Sequence, residues 1–229
     1  MLRNSLEWRR QFKIDTILTD FKPSEVLKNY VSAGLVGQDK ALSPLWITRY
    51  GRMDMKGILR SVKKRDFITY VIYLIESSIS KVMADPKKYK PTPDAIVQTT
   101  VIFDMEGMSI QHVTNRKAMD AAVRLSKYYE ENYPEYLLNV FAINAPKIHV
   151  ILSALLLPFV PLKTRTKIHI FGHDDKEWKA AILEHVNPEE LPVAYGGTKT
   201  DPDGNPNCIT LASQHGRSSS KNLLFQQQA

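Results

Sequence analysis

Thirteen consecutive residues, Val150 to Leu162 (VILSALLLPFVPL), carry no charged or histidine side chain, so the fold must bury them or set them against something apolar. A membrane-crossing helix needs about 20 apolar residues. This run is shorter and holds Pro158 and Pro161, which speaks against an α-helical transmembrane protein. Read as a helix, Ile148, Leu152, Leu155, Leu156 and Phe159 share one side. The other side, Val150, Ser153, Ala154 and Leu157, is hardly more polar. A helix apolar all round is either fully buried or apolar-contacting on both sides.

The surrounding chain reads as one α/β domain with appendages. Apolar residues at 43% and charged residues at 24% give the balance of a folded protein. Lys and Arg outnumber Asp and Glu by 31 to 24, a net charge of +7 that invites an anionic partner, nucleic acid or a phospholipid surface. The N-terminus, MLRNSLEWRRQF, lacks the apolar core of a signal peptide, which implies a cytoplasmic protein. Cys208 is the single cysteine and excludes an intrachain disulfide or a zinc site of several thiolates.

Periodicity gives helices over 2–18 and 23–31, the second with Pro23 in its first turn, and a strand over 45–50 followed by a Gly51 turn. A long helix is expected over 61–83, with Phe67, Val71, Leu74, Ile75, Ile79 and Val82 as its buried stripe. Residues 85–94 read as a loop. The strongest strand is 96–105, IVQTTVIFDM. Its face of Val97, Thr99, Val101 and Phe103 opposes one of Gln98, Thr100, Ile102 and Asp104. Thr114 is the expected cap of a helix ending near Asn132. Strands follow at 138–143 and 167–171, then a helix opened by a capping-box-like Asp174 and Glu177. Strands alternating with helices imply a sheet with helical crossovers.

No nucleophile elbow, Walker loop or dinucleotide fingerprint occurs. Asp104 and Glu106 end the strongest strand, where a carboxylate pair could do acid–base work, or simply turn the chain out of the sheet at Gly107. His169 and His173 straddle a strand end and do not share a helical face, and Asp201, Asp203 and Asn205 lack the glycine and glutamate of a calcium loop. No metal or other cofactor is expected. Basic residues cluster over Arg49–Arg65 and again over 146–172, as Lys147, Lys163, Arg165 and Lys167 without an acid. Neither cluster interleaves stacking aromatics, so nucleic acid is not the expected partner. The second cluster brackets the uncharged run. That pairing suits a lid with a lipid cavity beneath and an anionic bilayer above; the ordinary alternative is a core helix.

The stretch EENYPEYLLNVFAINAPKIHVILSALLLPFVPLKTRTKIHIFG, followed by LPVAYGGTKTDPDGNP, resembles the CRAL-TRIO lipid-binding family. The likeness is nearest to its supernatant-protein-factor branch and covers residues 1–208, with PLW, IFDMEG, ENYPE, NAPK and YGGT in order. The resemblance implies an α/β fold: a mixed β-sheet flanked by helices, forming a hydrophobic lipid pocket closed by a gate helix at Ile148–Phe159. It implies that 1–33 is a remnant of an N-terminal helical subdomain and 34–208 the lipid-binding domain; the polar composition of 209–229, with its Ser and Gln runs, reads as a disordered tail. Against the family, the preceding helices and a trailing Golgi-dynamics β-sandwich are missing, as in a piece of a longer protein.

In phosphatidylinositol-transferring relatives a Glu after the Tyr-Pro pair and a Lys opening the last strand hold the inositol phosphate. The matching residues are Glu135 and Lys167, with Thr164 at a further hydroxyl position and Tyr136 where those relatives have Arg. Two phosphocholine-contacting hydroxyls correspond to Thr99 and Val101, so only one survives. The resemblance leaves phosphatidylinositol or a neutral lipid such as tocopherol or squalene. Trp46, Thr99, Val101, Phe103, Ile148, Leu152, Leu155, Leu156 and Phe159 are the expected pocket wall. Lys147, Lys163 and Arg165 are the expected membrane-docking residues. The implied activity is non-enzymatic lipid transfer in the cytoplasm, transiently at anionic membranes. The rivals are a lipid sensor that presents its ligand to an enzyme, and a hydrolase built on Asp104 and Glu106.

Overall fold

The N-terminal segment breaks where its sequence reads as continuous. Helix α1 (Leu2–Phe12) stops at Lys13, whose φ of 52° is left-handed, and the chain resumes in a 3-10 turn at Ile14–Thr16 and helix α2 (Ile17–Asp20). The single helix expected over 2–18 is therefore wrong; the break turns Ile14 and Ile17 into the core, each 2% exposed. The computed structural model describes residues 2–89, 98–156, 158, 160–202, 204–206 and 208, without the side chains of Leu2, Pro86, Leu152, Leu155 and Leu156. The tail expected over 209–229, and Ile96 and Val97 of the expected strand, lie outside the described residues.

Helix α3 (Glu25–Tyr30) is capped by Ser24, whose Oγ accepts from the Leu27 amide; Pro23 stands before the cap and not in the first turn. Strands β1 (Ala33–Gln38) and β2 (Pro44–Thr48) form an antiparallel pair, and β1 had no expectation in the sequence. Helices α4 (Met55–Ser61), α5 (Lys64–Ala84) and α6 (Pro86–Tyr89) precede strand β3 (Thr99–Asp104). Here α4 is an addition, and α6 replaces part of an expected loop. Helices α7 (Ile110–Thr114) and α8 (Arg116–Asn132) lead to strand β4 (Leu137–Ile143). The cap of α8 is Asn115, whose Oδ1 accepts from the amides of Lys117 and Ala118. Thr114 instead ends α7 and donates to the Ile110 carbonyl. Helices α9 (His149–Leu156) and α10 (Leu162–Arg165), strand β5 (Ile168–Ile170) and helix α11 (Asp175–His185) complete the order.

The strands lie in the order β1-β2-β3-β4-β5, antiparallel in the first pair and parallel in the rest. Parallel neighbours require crossovers, and the helices between them supply these. Register sorts side chains into rows. Ile47, Ile102, Phe141 and His169 are successive partners, and this face is sealed by Trp178 and Ile182 of α11 with Leu191. Ile47, Ile102, Ile182 and Leu191 are all 0% exposed, each contributing ~1.5–3 kcal/mol of burial. The adjacent row, Trp46, Val101, Val140 and Ile168, points to the opposite face.

Across from that second row runs α5. Among the described residues, α5 alone would pass for a membrane-crossing helix by length and composition, which the reading of the thirteen-residue run overlooks. Its Phe67, Ile68, Tyr70, Ile72 and Leu74 are buried in the core shared with α1–α4 and α8, and Val82 is buried nearer its end.

A buried polar network fixes the C-terminal edge of the sheet. Tyr195 Oη donates to Asp104 Oδ2 at 3.0 Å and accepts from Arg49 Nε at 3.3 Å. Asp104 Oδ1 also accepts from Asn144 Nδ2 and the Glu106 amide, each at 2.9 Å. The network joins the ends of β2, β3 and β4 just before the chain enters α9. Gly51 packs against the carbonyls of Met105 and Glu106 there, leaving no room for a Cβ. Asp104→Ala would leave the buried Tyr195 hydroxyl and the Asn144 amide without their acceptor. A loss of about 2 kcal/mol is expected in urea unfolding; a loss below about 0.5 kcal/mol would mean the network carries little of the edge.

Candidate functional site

Between the second sheet face and helices α5 and α8 lies a cavity of about 390 Å³. Its sheet wall is the row Trp46, Val101, Val140 and Ile168, with Ala33, Thr48, Thr99 and Phe103. Val71, Leu74, Ile75 and Ser78 of α5 and Leu125, Ser126, Tyr129 and Glu130 of α8 form the helical wall. Tyr136, Leu137, Val160 and Thr164 complete the lining. Small pockets that bind organic ligands are mostly apolar with a few placed polar groups, and this one matches that description.

The expected pocket residues divide. Trp46, Thr99, Val101 and Phe103 line the cavity, as the alternation of β3 required. Ile148 does not; it packs with Met105, Met108, Val113, Ala142 and Ala145 beyond the end of β4, because the chain has not yet turned back over the cavity. The side chains of Leu152, Leu155 and Leu156, and the whole of Phe159, lie outside the described residues. Helix α9 itself exists and packs on α8. Its Val150 and Ile151 are 60% and 52% exposed, and Leu162 beyond it is 76% exposed.

Two of the lining hydroxyls are already engaged. Thr99 Oγ1 donates to the Pro44 carbonyl at 3.0 Å, and Ser78 Oγ accepts from Trp46 Nε1 at 2.9 Å. Thr99 Oγ1 thereby keeps only acceptor capacity toward the cavity, whereas Thr164 reaches inward toward Glu130. Tyr136, expected among the headgroup contacts, is 6% exposed and faces the cavity. Burial pushes its phenol up to about 12, and raises that of Tyr129 as well.

Glu135 adopts a left-handed φ of 61°, which sends its side chain outward while the next residue, Tyr136, points in. Its carboxylate pairs with Lys163 at 2.7 Å and Lys167 at 3.4 Å, and Lys167 Nζ also donates to the Leu137 carbonyl at 2.6 Å. Glu135 and Lys167 are thus brought together, but as each other's partner. Hydrogen bonding to Lys163, then Lys167, holds Glu135 below the usual glutamate range. Five residues earlier, Glu130 lines the cavity, and burial raises its carboxyl against the lowering pull of Thr164 and Lys167. Sequence reasoning missed Glu130, Tyr129 and Ser78. The tyrosines at 129, 133 and 136, one helical face and its continuation, were the signal available.

The remaining candidates are structural. Asp104 is buried in the edge network and Glu106 is exposed and paired with Arg52, so they form no catalytic couple. In the first basic cluster Arg49 is buried, Lys64 pairs with Asp120 and Arg65 lies over the Phe12 ring, so it is not simply a solvated face. His169 stacks on Phe141, with centroids 5.4 Å apart. Lys147 and Arg165 are exposed, and Arg165 Nε donates to the Val160 carbonyl at 2.9 Å.

Comparison with known proteins follows the same outline. The model of the CRAL/TRIO domain matches residues 28–197. The chain is 32% identical over 217 residues to "Protein real-time" of Aedes aegypti, covering 94% of this chain and 32% of that protein. It is 30% identical over 199 residues to "Protein real-time" of Anopheles gambiae, covering 86% of this chain and 28% of that protein. The chain thus spans about a third of the length of these relatives. The crystal structure of Sfh5 superposes with a TM-score of 0.70 at 19% identity, over 96% of this chain and 70% of that one, a likeness of fold.

The two glutamates should titrate on opposite sides of the ordinary glutamate pKa. For Glu130 the folded state holds its proton more tightly than the unfolded state. Its presence therefore lowers stability as pH rises through that window, and Glu130→Gln should stabilise the protein near pH 7. For Glu135 the sign reverses: its contribution is present above the unfolded pKa and lost as pH falls through the depressed one. Carboxyl-carbon NMR titration of both residues reads the order; Glu130 titrating below Glu135 would contradict it.

Proposed function

The chain belongs to the CRAL/TRIO domain family, and on that footing we propose that it holds one hydrophobic lipid in the cavity beneath the sheet and exchanges it with membranes. Members of this family are typically carriers of lipids and not enzymes. The observation that carries the reading is the cavity itself: about 390 Å³ walled by Trp46, Val101, Val140 and Ile168 on one side and α5 and α8 on the other. The expected setting is the cytoplasm, with transient attachment to anionic membranes. Transfer needs no reactive group, and none is assigned.

The energetics favour exchange at a bilayer over release into water. A two-tailed lipid of about 30 methylenes costs roughly 24 kcal/mol to wet, at about 0.8 kcal/mol for each methylene. Such a ligand leaves only where the receiving environment is also apolar. Val150, Ile151 and Leu162 offer exposed apolar surface, and Lys147, Lys163 and Arg165 lie beside them. Each basic residue near an anionic leaflet adds about 1 kcal/mol of attraction.

The ion pair at Glu135 suggests how docking and headgroup recognition are linked. Lys163, 73% exposed, is both a docking residue and the nearest partner of Glu135. Anionic headgroups that draw Lys163 toward the bilayer would free the Glu135 carboxylate to accept inositol hydroxyls, with Lys167 left as the point charge for phosphate. Phosphatidylinositol is the phospholipid best suited to this pair.

Vesicle-to-vesicle transfer of fluorescent phosphatidylinositol tests the reading. Wild-type protein should accelerate transfer, Lys167→Ala should reduce it by about tenfold, and Ile151→Asp should slow the rate with equilibrium loading unchanged. Undiminished transfer by Lys167→Ala would remove the headgroup role, and no acceleration by wild type would remove the transfer role.

A further inference from the structure

A concentration of cations lies away from the lipid cavity, where the end of α4 meets the starts of α5 and α8. Two adjoining surface cavities of about 370 and 410 Å³ share Arg60 and Lys117 in their walls. Lys56 and Arg116 also line the first, and Lys63 and Lys64 the second. Neither lining holds a carboxylate or an aromatic ring. Of these cations only Lys64 has an ion-pair partner among the described residues, Asp120, which it shares with Arg124. Glu130 of the lipid cavity lies near the far end of α8, roughly 20 Å from Arg116 at about 1.5 Å per residue.

Placement makes this cluster more than a solvated charge run. Leu59 and Ala118 are 3% and 2% exposed, so the segments that present Arg60 and Lys117 are anchored in the core. The positive end of a helix favours acids, yet α8 opens with Arg116 and Lys117 and has no acid in its first turn. Lys63, at the cap position of α5, makes no side-chain capping bond, and Lys64 and Arg65 follow before Asp66. Cations held together without counter-charge repel one another, so a polyanion that neutralises them is bound favourably. We propose that this surface is a second binding site, separate from the lipid cavity, for a ligand carrying two or more neighbouring phosphates. A single phosphate meets one cavity, whereas a polyphosphate spans both across Arg60 and Lys117. The guanidinium groups donate in pairs to phosphate oxygens, and the lysines act as point charges. Without an aromatic ring in either wall, nucleic-acid bases have no stacking platform. The same phosphate chemistry belongs to a soluble inositol polyphosphate and to a polyphosphoinositide headgroup.

Calorimetric titration with inositol hexakisphosphate at about 0.15 M salt tests the site. One variant, Arg60→Gln with Lys117→Gln, removes the shared cations. The other, Lys81→Gln with Lys176→Gln, removes two exposed cations elsewhere and has the same net charge. Wild type and the second variant should bind alike, and the first should bind about tenfold or more weakly. The melting temperature of the first variant, without ligand, should equal or exceed that of wild type, because repulsion is relieved. Phosphatidylcholine vesicles holding phosphatidylinositol bisphosphate separate the two sources. Recruitment that hexakisphosphate reverses and the first variant loses assigns the lipid headgroup. Hexakisphosphate binding without such recruitment assigns the soluble ligand. No binding by wild type, unchanged affinity in the first variant, or an equal loss in both variants overturns the inference and leaves the lipid cavity untouched.

Discussion

The register that sets Trp46, Val101, Val140 and Ile168 in one row across four strands decides where the molecule is solid and where it is hollow. The alternate row, Ile47, Ile102 and Phe141, is packed against α11 to complete burial. Because side chains alternate along a strand, a slip of one residue would exchange the faces and put the packed row over the hollow. The helices above the open face cannot collapse onto it, since α5 is fixed by its own buried stripe and α8 by Ala118 and Ala121, 2% and 0% exposed. The cavity is thus a consequence of two rigid walls, each held by packing on its far side.

Charge is arranged around that hollow with a clear division. The left-handed turn at Glu135 separates an outer ionic site, with Lys163 and Lys167, from an inner site of Tyr129, Tyr136 and Glu130. Outer groups pair with one another and are screened by solvent, so they are inexpensive to rearrange. The two inner phenols are screened far less, and burial raises their pKa and that of the partly buried Glu130. A carrier needs both properties, an entrance that responds to a membrane and an interior that holds its ligand without water.

Much of this was legible because it depends on local periodicity. The faces of β3 follow from alternation alone, and three of its residues line the cavity as that alternation requires. Where tertiary forces decide, the reading failed. Lys13 takes a left-handed conformation that no local signal marks, because burial of Ile14 and Ile17 repays the strain. Strand β1, AGLVGQ, holds two glycines and reads as a connector, and only pairing with β2 makes it a strand. Asn115 and Thr114 are both good caps, and the extra helix α7 settles the choice by using Thr114. Ile148 shares the apolar period of α9 but precedes its first turn, so it meets a different cluster. Glu130 could not be found from sequence, since a glutamate in a charged helical run signals solvent until the opposite wall is known.

Native mass spectrometry of the protein as purified, released without detergent, tests the central claim most directly. One lipid per chain is expected, with a mass that identifies the species and that disappears on collisional release as a single neutral or singly charged loss. Protein that emerges lipid-free, and stays lipid-free after incubation with phosphatidylinositol, diacylglycerol and tocopherol vesicles, would contradict a lipid-holding cavity.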